Sequence, residues 1–138
     1  MKRAMEIMNT TLTQPVASCM TDWFITLDHA ESLMMAAKAL RDRNIGLLLV
    51  TDGDELVGVL SERDIVTALA DEDKLHHTRL ADRARGDILT IESTDSLQSG
   101  VDLMVGGGTR HLVVVDGDGL PVGVLSARDV LTEMSSIA

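Results

Sequence analysis

Aromatic side chains are almost missing from this 138-residue sequence: Trp23 and Phe24 stand side by side, and there is no tyrosine. The core must therefore be aliphatic, built from Leu, Val, Ile, Met and Ala. The same scarcity argues against single-stranded nucleic-acid binding, which relies on aromatic stacking platforms. Cysteine occurs once, at Cys19, so no internal disulfide can form. A lone cysteine is more often a small apolar residue than a nucleophile. Positive charge is also short: 12 Lys and Arg against 22 Asp and Glu leave a formal net charge of -10. Such a field repels polyanions, which makes nucleic acid and anionic membrane poor partners, although a local pocket of arginines and helix-end amides can still hold a small phosphate. No apolar run approaches membrane-spanning length. Met1 to Met8 contains Lys2 and Arg3 but not the apolar stretch of a signal peptide. The expectation is a cytoplasmic protein with no nucleic-acid and no membrane partner.

What the sequence does have is a repeat. Val57-Gly58-Val59-Leu60-Ser61-Glu62-Arg63-Asp64-Ile65 returns as Val122-Gly123-Val124-Leu125-Ser126-Ala127-Arg128-Asp129-Val130, with seven of nine positions identical at an offset of 65. Leu47 to Val50 aligns with Leu112 to Val115 at the same offset, and Ile25 to Asp28 with Leu89 to Glu92 at 64. The alignment places the one-residue slip at the end of a helix. Domain boundaries follow: an extension over 1–15, with Met5, Met8 and Leu12 at helical spacing; repeat 1 over 16–70; a solvated linker over 71–79; repeat 2 over 80–134; and a tail over 135–138.

Each copy reads as β-α-β-β-α. A short apolar strand (Phe24 to Leu27; Ile88 to Ile91) precedes an amphipathic helix carrying Leu33, Ala37 and Leu40, or Leu97, Val101 and Met104, on one face. Asp28 and Ser93 are candidate N-caps, and Gly46 and Gly106 to Gly108 suit the helix exits. A hairpin turns through Asp52-Gly53-Asp54 or Asp116 to Gly119, and the last helix starts after Ser61 or Ser126. Strands this continuously apolar are covered on both faces. A unit of about 55 residues has little core of its own. The fold class expected is α/β (α+β), two such repeats packed sheet to sheet with internal pseudo-twofold symmetry.

The closing Gly-Val-Leu-Ser-x-Arg-Asp carries the chemistry. Ser-x-x-Asp at a strand-to-helix junction is close to a capping box, which needs no ligand. Yet Arg63 and Arg128 fall in the first helical turn, where the helix dipole disfavours a cation unless an anion sits there. An adjacent acid, Asp64 or Asp129, is of the kind that binds ribose hydroxyls in other nucleotide folds. Ser, Arg and Asp at this spacing suit a phosphate plus a ribose.

With these motifs the sequence resembles the tandem CBS (cystathionine-β-synthase) domain pair, or Bateman module, over nearly its whole length. The resemblance implies phosphate and ribose contacts from Ser61 and Asp64 in one site and from Ser126 and Asp129 in the other. It implies adenine contacts at Thr26, Leu27, Ile45 and Gly46, and at Thr90, Ile91, Arg110 and His111. Arg110 and His111 match basic residues that contact phosphates in some members, so the second site is the better candidate for a phosphorylated ligand. Arg83-Ala84-Arg85-Gly86 stands where the first copy has Cys19-Met20-Thr21, and departs from the usual Met-Thr.

The function so implied is that of a regulatory, ligand-sensing module, not an enzyme. It requires no cofactor and binds an adenine nucleotide (AMP, ADP or ATP) or S-adenosylmethionine between its repeats. It signals to a regulated protein or through homodimerisation. The alternative is a degenerate pair that acts only as a dimerisation scaffold. Other constellations point to less. His29, His76, His77 and His111 lack metal-site spacing, Asp116 to Gly119 lacks the later ligands of a calcium loop, and Gly106 to Gly108 lacks the Lys and Ser/Thr of a phosphate loop.

Overall fold

The computed structural model describes the backbone of residues 2–137 and side chains as far as 135. Met1 and Ala138, the ends of the expected extension and tail, lie outside the described residues. Among the described residues six α-helices and six strands follow one another: α1 (Lys2–Leu12), β1 (Thr26–Asp28), α2 (Leu33–Arg43), β2 (Leu47–Asp52), β3 (Glu55–Ser61), α3 (Glu62–Ala70), α4 (Leu80–Arg83), β4 (Thr90–Glu92), α5 (Leu97–Gly107), β5 (His111–Val115), β6 (Pro121–Ser126) and α6 (Ala127–Ile137), with a short 3-10 turn at Val16–Ser18. Among the described residues no helix is long and apolar enough to cross a membrane. The mixed α/β class and the doubled β-α-β-β-α order are as expected.

The strands form two three-stranded sheets, β1-β2-β3 and β4-β5-β6. In each, a parallel pair (Thr26 beside Leu49; Thr90 beside Val113) is followed by an antiparallel hairpin (Leu47 beside Ser61; His111 beside Ser126). The first strands are shorter and begin later than expected, because only three residues of each enter the ladder.

Two compact units emerge, and they are not cut where the sequence repeat is cut. One is the continuous stretch Phe24–Ile88; the other combines Met1–Trp23 with Leu89–Ala138. In the continuous unit, Leu33, Ala36, Leu40, Leu48, Val50, Leu60, Ile65, Ala68 and Leu80 make the buried core. Leu80 comes from α4, ahead of the second repeat's first strand, and is fully buried. In the other unit, Val16, from ahead of the first repeat's first strand, is fully buried beside Ile91, Leu97, Met104, Leu112, Val114, Leu125 and Val130. Each sheet is thus closed by the leader segment of the other repeat.

The same bonds hold both leaders. Leu33 N–H donates to Thr78 O at 2.8 Å and Leu80 N–H to Glu31 O at 2.8 Å; in the other unit Leu97 N–H donates to Gln14 O at 2.9 Å and Val16 N–H to Asp95 O at 2.8 Å. Arg85 and Val59 exchange two backbone bonds at 2.9 and 3.0 Å, as do Thr21 and Val124. This approach explains the glycine of the repeated motif. A Cβ on Gly58 would lie 3.0 Å from Arg85 O, and one on Gly123 would collide with Thr21 O.

The helix signals need correction. Ser32 and Ser96 cap α2 and α5, accepting from Met35 N–H and Ser99 N–H. Asp28 instead accepts from Ala30 N–H at 3.0 Å, and Ser93 N–H joins the sheet through Val115 O. The caps fall four and three residues later because turns separate the strands from the helices. The exits are left-handed residues, Asn44 at φ 51° and Gly108 at φ 63°, rather than Gly46.

Candidate functional site

Each unit brings the expected residues to one edge of its sheet, where the first two strands begin and the third ends. In the continuous unit, Leu49 N–H donates to Ile25 O at 2.9 Å, setting Thr26 and Leu27 alongside the start of β2. Gly46 O accepts from Glu62 N–H at 3.1 Å, which ties the start of β2 to the first turn of α3. Ile45 and Gly46 therefore lie beside the start of α3, which Ser61 caps and whose first turn carries Arg63 and Asp64, while Thr26 and Leu27 lie one strand away. Thr26 is exposed; Leu27 packs partly against the core.

Ser61 and Asp64 form a full capping box. Ser61 N–H donates to Asp64 Oδ2 at 2.8 Å, and Asp64 N–H donates to Ser61 Oγ at 3.4 Å. The carboxylate also takes Ser61 O–H at 3.1 Å and Arg85 Nε at 3.3 Å. Arg63, the second residue of α3, is exposed.

The other unit repeats the frame. Val113 N–H donates to Leu89 O at 3.0 Å beside Thr90 and Ile91, and Ala127 N–H donates to Arg110 O at 2.9 Å. Ser126 N–H reaches Asp129 Oδ2 at 2.9 Å, and Asp129 N–H reaches Ser126 Oγ at 3.0 Å. Arg110 and Arg128 are exposed, and with Arg63 they form no ion pair among the described residues. Ile91 is buried, so only its backbone is available to a ligand.

These bonds correct the alignment of the copies. The atom equivalent to Gly46 O is Arg110 O, and Ile45 N–H to Leu40 O is matched by Thr109 N–H to Met104 O. The second strands therefore align at an offset of 64, with Thr109 opposite Ile45, and His111 opposite Leu47. The extra residue sits in the second hairpin: Thr51 pairs with Leu56 across four intervening residues, Val115 with Pro121 across five. Runs of Leu and Val carry no register, so the sequence could not place the slip. Thr109, which no motif in the sequence marks, exchanges bonds with the His111 backbone at 3.3 Å.

The arginines ahead of β4 also belong elsewhere than their position suggests. Arg83 sits in the unit of the first repeat, bonded to Asp73 (2.7 and 2.8 Å) and Asp71 (3.0 Å); this ties down the linker expected to be solvated. Its hydrogen bonds to Asp73, then to Asp71, raise the Arg83 pKa further, and Arg83 in turn holds Asp73 below the usual carboxylate value. Its counterpart in the other unit is Cys19. Burial first, then the charges of Asp129 and Glu133, push that thiol up to about 11. At neutral pH Cys19 is a protonated, half-buried thiol and a poor nucleophile.

Comparison with known proteins agrees with this geometry. The CBS domain family matches twice, at residues 4–71 and 81–136. An uncharacterised protein of Methanopyrus kandleri is 30% identical over 109 residues, 78% of this chain and 56% of its own. The chain spans about half the length of such curated relatives. Among solved structures, a CBS domain protein of Pyrobaculum aerophilum complexed with AMP is 28% identical, with a TM-score of 0.78 over 89% of this chain and 99% of that one. A CBS domain pair in complex with 5'-methylthioadenosine and S-adenosyl-L-methionine shares the fold at a TM-score of 0.80 and 24% identity, covering 91% and 99%. The chain belongs to the CBS domain family and carries two copies of the domain in tandem.

Proposed function

We propose that the chain is a regulatory module that binds an adenine nucleotide or adenosyl ligand and passes its occupancy to a partner or to a second copy. One observation carries this reading: each unit holds a helix N-terminus, an exposed arginine and a Ser/Asp pair at one sheet edge, beside a fixed backbone carbonyl (Gly46 O or Arg110 O). Helix-end amides and a guanidinium suit a phosphate; a carboxylate suits ribose hydroxyls. The AMP complex of the Pyrobaculum relative supports the ligand class.

The residues proposed to contact the ligand are Ser61, Arg63 and Asp64 with Thr26, Leu27, Ile45 and Gly46, and Ser126, Arg128 and Asp129 with Thr90, Ile91, Arg110 and His111. The second set carries more positive charge, since Gly46 is replaced by Arg110. Outward apolar side chains support self-association: Val66 and Leu69 on α3 and Leu131 on α6 are each more than half exposed. A ligand signals only through its different affinity for two arrangements of the protein. The module does no chemistry on the ligand in this reading.

Thermal unfolding with AMP, ADP, ATP and S-adenosylmethionine tests it. A ligand at 100 times its dissociation constant adds about 2.7 kcal/mol; no shift with any of the four would refute a nucleotide sensor. A second reading, a scaffold without ligand, is favoured by the capping boxes, which already employ Ser61, Asp64, Ser126 and Asp129. Asp129→Ala separates the two. Lost ligand response beyond the loss of stability supports the sensor; lost stability alone supports the scaffold.

A further inference from the structure

We infer that Asp28, His29 and Asp52 form a binding site for a divalent transition cation of the zinc class, on the first repeat only. Asp28 and His29 are neighbours in sequence, and they meet the distant Asp52 at the end of the sheet opposite the proposed nucleotide edge. Parallel pairing sets Asp28 beside Thr51, and His29 N–H donates to Thr51 O at 2.8 Å, which delivers the imidazole to the neighbouring Asp52. His29 Nε2 lies 3.4 Å from Asp52 Oδ1. One donor atom from each of the three residues falls within 4.8 Å of the others.

One imidazole and two carboxylates suit zinc and its neighbours better than magnesium or calcium, which prefer oxygen alone. Around zinc the donors must sit roughly 3.3–3.5 Å apart. The His29–Asp52 distance already meets this. Asp28 and Asp52 are exposed and His29 is only half-buried, so rotamer changes can close the remaining gap. Asp28 uses Oδ2 for the Ala30 amide and keeps Oδ1 for a metal. Solvent takes the remaining coordination positions, and the net charge of -10 draws cations to the surface.

A plain His29–Asp52 ion pair would need no second carboxylate. The second repeat provides the internal comparison. It keeps the same strand frame, with Ser93 N–H on Val115 O at 3.0 Å, but serine replaces the imidazole. There Asp116 Oδ1 is taken up by the Asp118 and Leu120 amides at 2.9 and 3.0 Å. The cation site belongs to one copy.

The test is equilibrium dialysis of chelator-stripped protein against zinc chloride, with metal counted by mass spectrometry. One zinc per chain is expected, lost in His29→Ala and in Asp52→Asn, and kept when His76 and His77 are both replaced by alanine. Zinc that survives both site variants, or that leaves with His76 and His77, overturns the proposal, as does no binding at all. Should a variant fail to fold, imidazole NMR of the unaltered protein decides: zinc must shift the His29 ring signals before those of His76, His77 or His111.

Discussion

The Arg85 guanidinium rests 3.3 Å from the Asp64 carboxylate, across 21 residues of sequence. The pair joins the leader of the second repeat to the first helical turn that closes the first. Asp64 also accepts the Ser61 amide at 2.8 Å, a bond in which Arg85 takes no part. Arg85→Gln should therefore cost no more than about 1 kcal/mol, the usual range for a half-exposed ion pair. Asp64→Ala also removes the acceptor of the Ser61 amide, half of the capping box, and should cost more than Arg85→Gln. Urea unfolding of the two variants gives the comparison; equal losses would mean that the ion pair, not the cap, holds this junction.

Leu80 tests which unit α4 completes. It is fully buried with Leu33, Leu48 and Leu60 of the first repeat. Leu80→Ala should cost about 2–5 kcal/mol through lost burial and the cavity left behind. A fragment over 24–88, which retains Leu80, should show the helix and strand signals of a folded unit by circular dichroism. A fragment over 16–70 should not.

Gly123→Ala should destabilise by about 1–3 kcal/mol, because the added methyl meets the Thr21 carbonyl and one of the two chains must move. Gly58→Ala faces a 3.0 Å contact with Arg85 O and should cost less. Thermal melts of the pair rank them.

The linker carries a pH dependence of known sign. Arg83 lowers the Asp73 pKa in the folded protein, so the unfolded chain takes up the proton first as pH falls. The contribution of the pair is present above the ordinary aspartate value of about 3.9 and fades as pH drops through the lower folded value. Asp73→Asn should be less stable than the parent at pH 7, and the difference should shrink as pH falls below the ordinary aspartate value. A gap that persists in acid would assign the effect to packing.

Much of this architecture was legible in the sequence because the closing motif recurs with so few changes. Ser61, Asp64, Ser126 and Asp129 stand where the motif put them, at helix starts that a capping box makes recognisable. Partners across long stretches were not legible. Apolar strand runs fit neighbouring registers equally well, so the sequence pattern sets Leu47 against Leu112, whereas the ladders set it against His111. Arg83 and Arg85 stand at the head of the second repeat in sequence, yet their hydrogen bonds lie with Asp71, Asp73 and Asp64. His29 seemed solitary because Asp52 reaches it only through strand pairing.

The exchange of leaders also bears on how such a chain could arise. In a polypeptide holding a single copy, the Val16 or Leu80 equivalent would lack the core it fills here, because each leader packs into the cluster of the other repeat. Two such molecules could complete each other by trading these segments, much as swapped arms do in other proteins. Fusing the two genes would then freeze a reciprocal trade between strangers into a single inheritance.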